Sequence, residues 1–151
     1  MPLNKTKLLT TIQFAMLLVA ILGFFDASFL SYEYFKGEVP PCKIVTGCET
    51  VTTSVYSELF GVPVALIGAV YYFIVSTLLL YSIDRKSEKI LNAVSRFTVF
   101  GFLASLYFMF LQIFVLNALC FYCIISASTS TLLFAGGAWF LSLNKKTLPI
   151  A

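Results

Sequence analysis

Four cysteines carry the chemistry this chain can do. Cys42 and Cys48 stand with five residues between them, and Cys120 and Cys123 form a C-x-x-C pair. The sequence contains no histidine. That excludes Ser-His-Asp and Cys-His catalysis, the common zinc sites and haem ligation by imidazole. A disulfide closing only two intervening residues removes little chain entropy, so a C-x-x-C pair is a poor staple and a good redox couple. At a helix start, the macrodipole and the free N–H groups favour a thiolate on Cys120. Cys123, one turn in, points along the same face. The structural readings are two disulfide staples, which suit Cys42 and Cys48 best, or a zinc site made by all four thiolates. Four cysteines allow three pairings.

The elements that must position these thiols are membrane helices. Charged residues make up 11% of the chain, hydrophobic residues 60%, and the mean hydropathy is +0.94. A soluble domain carries about a quarter charged residues. Uncharged runs cover 8–25, 59–83 and 97–144. As one helix, the last would be about 72 Å long, more than twice the bilayer core, so it must fold back. We place the turn at Leu116-Asn117-Ala118-Leu119. One all-α integral membrane domain over 1–151 follows, a bundle of four transmembrane helices at about 8–32, 62–83, 97–116 and 120–143. The first run is long for a signal peptide and lacks a small-residue cleavage site, so it reads as a retained helix. The loop 33–61 holds Val51, Val55, Leu59 and Phe60 among polar residues, the pattern of a short amphipathic helix at the membrane surface. Gly61 and Pro63 then lead into the second helix. The segment 84–96 reads as a solvated linker.

Basic residues set the orientation. Lys5, Lys7, Arg85, Lys86, Lys89, Arg96, Lys145 and Lys146 all fall on one side. Both termini are therefore expected in the cytoplasm, with the loop 33–61 and the turn at Asn117 outside it. This orientation puts all four cysteines at the oxidising face, where disulfides persist. The net charge of +3 is too small and scattered for nucleic acid. A transporter would mark its path with intramembrane charge; Asp26 is the only acid within a span, and Gln112 and Asn117 are too few.

The arrangement resembles the vitamin K epoxide reductase family. The matching features are Cys42-Lys-Ile-Val-Thr-Gly-Cys48, Ser54 six residues on, Phe60-Gly61-Val62-Pro63 before a helix, and Cys120-Phe-Tyr-Cys123 opening the last helix. Gly23-Phe-Phe-Asp26-Ala-Ser28-Phe-Leu30 also looks like the family's first helix. The resemblance runs from about residue 15 to 143. It implies a quinone pocket within the bundle, two electron-linked cysteine pairs and a thioredoxin-like redox partner. Many bacterial relatives carry that partner as a fused domain; here it is expected as a separate protein on the extracytoplasmic side. No metal is expected. By position, Cys42 would meet the partner with Lys43 beside it, Cys48 would shuttle to Cys120, and Cys123 would face the quinone. Ser54 and Asp26 are supporting residues.

Two positions depart from the epoxide-reducing members, which use an Asn at the start of the second helix and a Tyr beyond the last cysteine. They are Val64 and Ala127 here, and neither donates a hydrogen bond. The expected activity is therefore quinone reduction coupled to disulfide formation. The alternatives are reduction of vitamin K epoxide or quinone, and a non-enzymatic membrane protein with structural disulfides. Pocket candidates are Phe60, Val64, Leu66, Ile67, Tyr71, Phe100, Tyr107, Phe108, Phe114 and Tyr122. The other family of quinone-linked disulfide formers places its C-x-x-C in the first outer loop, the reverse of the order here.

Overall fold

The computed structural model describes residues 2–42 and 47–145. Four long helices dominate: α1 (Pro2–Lys36), α3 (Val64–Arg85), α4 (Glu88–Phe110) and α5 (Phe121–Lys145). All four are long and apolar enough to cross a membrane. The chain is a multi-pass membrane protein of the all-α bundle class. In hydrocarbon every backbone polar group must be paired within the protein, and long helices do this internally. Helix α1 packs on α3 and α5, and α4 packs on α5 and α3, closing a four-helix ring.

Spacing explains the packing. Ile12, Met16 and Ala20 recur at i, i+4 on α1, and Ala69, Tyr72, Val75 and Leu79 line the inner face of α3. Leu91 and Val94 from α4 and Leu133 and Phe140 from α5 complete the core. Large apolar side chains such as Leu18, Phe25, Leu80, Leu103 and Trp139 remain on the outside. A helix apolar all round suits a bundle with lipid on its outer face.

The helix boundaries differ from those expected, most of all at α1 and at the start of α4. Helix α1 runs from Pro2 to Lys36, beyond the expected 8–32 at both ends. Helix α4 begins at Glu88 and not at 97, so most of the expected linker 84–96 is helical. Leu91, Val94, Ser95 and Thr98 are buried at i, i+3, i+4, i+7 spacing and carry the inner face of α4 down past its charged turn. Lys86 takes a left-handed conformation at φ 50° and makes the reversal. Glu88 then sits in the first turn of α4, where a negative charge suits the helix N-terminus.

The loop before α3 is compact. Helix α2 (Cys48–Thr52) is followed by a 3₁₀ turn (Val55–Ser57) and a small hairpin of β1 (Glu58–Leu59) and β2 (Val62–Pro63). The surface helix expected here is thus a single short turn of helix, and Leu59 and Phe60 belong to a hairpin. Phe60 and Gly61 form its two-residue tip with φ of 54° and 79°, the doubly positive geometry that a tight hairpin requires. The Tyr34 hydroxyl donates to the Glu58 carboxylate and ties the hairpin to the end of α1.

Helix α4 ends in a π-type turn, Leu111–Val115. Asn117 adopts φ 47° and turns the chain into α5, within the expected turn at 116–119.

Candidate redox site

Cys42 and Cys48 are joined by a disulfide, with their Cα atoms 6.2 Å apart. Cys120 and Cys123 are free thiols. The sulfurs of Cys42, Cys48 and Cys120 all lie within 4.8 Å of one another. Cys48 and Cys120 are buried together with Val51, against Leu116, Ala118, Phe121 and Tyr122. The loop pair and the helix pair, more than seventy residues apart in sequence, thus form one cluster. Lys43 lies outside the described residues.

The contact between loop and turn depends on Gly47. A Cβ there would meet the Leu119 carbonyl oxygen at 2.6 Å and its nitrogen at 2.7 Å. Such distances are closer than real side chains come, so only glycine lets the residue before Cys48 lie on the backbone before Cys120. The Cys42–Cys48 disulfide borders a hollow of about 280 Å³ with Val39, Pro40 and Glu49.

Cys120 flanks α5, its carbonyl accepting the Ile124 N–H at 3.1 Å. Its own N–H donates to Gln112 Oε1 at 3.0 Å. The Cys123 thiol, with the N–H groups of Cys123 and Tyr122, stabilises negative charge on the Cys120 sulfur. These bonds outweigh burial and bring its pKa from 9.0 down to about 7.

Cys123 opens on the other side, into a half-open cavity of about 800 Å³ bordered by α1, α3, α4, α5 and the loop. Asp26, Ser54, Val64, Tyr71, Tyr72, Phe100, Phe108, Gln112, Ser126, Ala127 and Ser130 are among its lining residues. Among the described residues, three buried polar atoms on this wall have no hydrogen-bond partner: Asp26 Oδ2, Tyr71 Oη and Ser130 Oγ. Buried polar atoms are normally paired, and orphans in a cavity wall suit a ligand that brings oxygen atoms of its own. Tyr72, by contrast, is satisfied by the Ser126 carbonyl at 2.8 Å and by Thr129 Oγ1 at 2.8 Å.

The expected pocket residues divide. Val64, Ile67, Tyr71, Phe100 and Phe108 line the cavity. Phe60 does not: it is 99% exposed at the hairpin tip. Tyr122 also stays outside, its ring packed 5.3 Å from that of Phe29. One position along a helix turns a side chain by about 100°, so a residue next to Cys123 faces away from the wall that Cys123 forms. Leu66, Tyr107 and Phe114 likewise lie off this cavity. Ser54 reaches the wall, but its hydroxyl donates to the Val51 carbonyl at 2.8 Å and holds the turn after α2. Gln112, in the sequence only a lone polar residue, touches both the cavity and Cys120. Its one sequence signal is a carboxamide in an otherwise apolar run eight residues before Cys120.

A membrane bundle, a loop disulfide and a C-x-x-C pair at a helix start define a membrane thiol oxidoreductase. The sequence model of the vitamin K epoxide reductase family matches residues 14–136, and the chain belongs to that family. Comparison with individually curated proteins gives no match.

Proposed function

We propose that this protein takes electrons from a thioredoxin-like dithiol outside the cytoplasm and delivers them to a quinone in the membrane. The carrying observation is the continuous sulfur path. Three sulfurs lie within 4.8 Å of one another, and the fourth cysteine lines a cavity large enough for a ligand ring.

The steps balance as exchanges of one disulfide. The partner's two thiols become a disulfide as Cys42–Cys48 opens to two thiols, with Cys42 forming the mixed disulfide. Cys48 then attacks Cys120 of an oxidised Cys120–Cys123 pair, and Cys42 resolves the Cys48–Cys120 link. This leaves Cys42–Cys48 oxidised and Cys120 and Cys123 as thiols, the arrangement described above. The two thiols pass two electrons and two protons to the quinone, giving hydroquinone and restoring the Cys120–Cys123 disulfide. The lowered pKa of Cys120 supplies a thiolate at neutral pH for these exchanges. The orphaned Asp26, Tyr71 and Ser130 atoms offer polar partners to the quinone oxygens. Asp26 also offers a place for a proton in transit.

Val64 and Ala127 lie on this wall and provide no polar side chain. Opening an epoxide develops an alkoxide, and losing one donor for such a charge costs about 10²–10³ in rate. Purified protein in detergent with a dithiol is expected to reduce a ubiquinone or menaquinone analogue readily and vitamin K epoxide poorly. Cys123→Ala is expected to abolish quinone reduction. Cys48→Ala is expected to block turnover with a protein partner while sparing turnover with dithiothreitol. Comparable rates on both substrates would refute the substrate assignment; equal behaviour of the two variants with both reductants would refute the relay order. Stoichiometric zinc in protein purified without chelators would favour the structural reading of the thiols instead.

A further inference from the structure

Gln112 is 3% exposed and lies in the π-type turn that ends α4. Such turns widen a helix by one residue and are frequent at functional sites. Here the widening aims the carboxamide at the start of α5. Oε1 accepts the Cys120 N–H at 3.0 Å, and Gln112 and Cys123 line the same cavity wall. Cys123 stands one helical turn after Cys120 and packs against the buried cluster of Cys48 and Cys120. A carboxamide has one acceptor end and one donor end. Cys120 engages the acceptor end, which leaves the Nε2 donor for the Cys123 sulfur.

We propose that Gln112 is a positioning residue that sets the redox potential of the Cys120–Cys123 couple, clamping the Cys120 backbone with one end and donating to the Cys123 sulfur with the other. The proposal rests on the reading of this pair as redox-active. Reduction of the Cys120–Cys123 disulfide takes two electrons and two protons and yields two thiols. A donor at Cys123 favours the more electron-rich reduced sulfur over the disulfide sulfur. It makes the couple a better acceptor from Cys42 and Cys48, and keeps Cys123 reduced on the cavity wall until an acceptor arrives.

The test uses the full chain with Cys42→Ser and Cys48→Ser, so that only this couple titrates. It is equilibrated with reduced and oxidised dithiothreitol, and the reduced fraction is read by alkylation and mass. Gln112→Glu keeps an oxygen for the Cys120 N–H and replaces the donor with a carboxylate oxygen. Gln112→Met keeps the volume and removes both bonds. Each variant is expected to lower the equilibrium constant for reduction at least tenfold, about 30 mV for a two-electron couple. Gln112→Glu is expected to do so with a thermal unfolding midpoint close to the parent's. Both variants equilibrating within twofold of the parent would overturn the proposal. A shift in Gln112→Met alone would overturn the donation to Cys123, leaving only the clamp. Should Gln112→Met fail to fold, Gln112→Glu decides alone. Failure of a quinone to oxidise the parent pair would instead refute the proposed function, and it is read in a separate assay.

Discussion

At the scale of single residues, Cys120 carries the most consequential environment. Its thiol is lowered to about 7 chiefly by the bond from Cys123. A lowered thiol pKa means thiolate above about pH 7 and its loss as the pH falls through that value. With Cys42 and Cys48 replaced by serine, the ultraviolet absorbance of the thiolate is expected to rise with a midpoint near 7. Adding Cys123→Ala removes the largest cause and is expected to move the midpoint up toward the ordinary 9.0. A midpoint unmoved by that change would show that the helix start alone sets the acidity. The four cysteines were legible from residue type and spacing. The surroundings that tune them were less so: Gln112 acts through a turn geometry that no local pattern announces. Phe60 looked like a pocket residue because it sits among apolar neighbours, but the two-residue hairpin throws it outward.

At the scale of elements, the loop and the α4–α5 turn work as one unit, and Gly47 is the joint. Adding a methyl at a site only 2.6 Å from the Leu119 carbonyl must push Cys48 away from Cys120. A displacement of about 1 Å between reacting groups can cost about 10²-fold. Gly47→Ala is expected to slow turnover with a protein dithiol by about that factor, while dithiothreitol, whose electrons need not pass through Cys48, still supports turnover. Equal losses with both reductants would place the damage elsewhere. The helices themselves were readable from uncharged runs and the Asn117 turn from the length limit of a span. The start of α4 is masked in the sequence by Lys89 and Arg96, whose charges suggest a solvated linker. Leu91, Val94, Ser95 and Thr98 hold the helical period through those charges, and the period, set by burial on the inner face, decides the structure there.

At the scale of the whole molecule, sidedness governs whether the sulfur cluster meets its dithiol partner at all. The basic residues of the α3–α4 reversal and of both chain ends argue that these face the cytoplasm. A reporter active only in the cytoplasm is expected to be active when inserted at Lys86 and silent at Glu38. Activity at Glu38 would invert the orientation and remove the rationale for an extracytoplasmic partner.

Among the described residues, the hollow beside the Cys42–Cys48 disulfide and the cavity behind Cys123 share only Val39 and Pro40. Two reactants that land in separate places, joined only by sulfur exchange between them, need never be bound together. Steady-state turnover on the proposed route should then follow a two-site ping-pong law. Double-reciprocal plots against the dithiol, taken at several quinone concentrations, are expected to be parallel. An excess of either reactant should not inhibit by blocking the other's seat. Intersecting lines would mean that the partner must stay docked while the quinone is reduced. The thin wall of Val39 and Pro40 would then be where each senses the other.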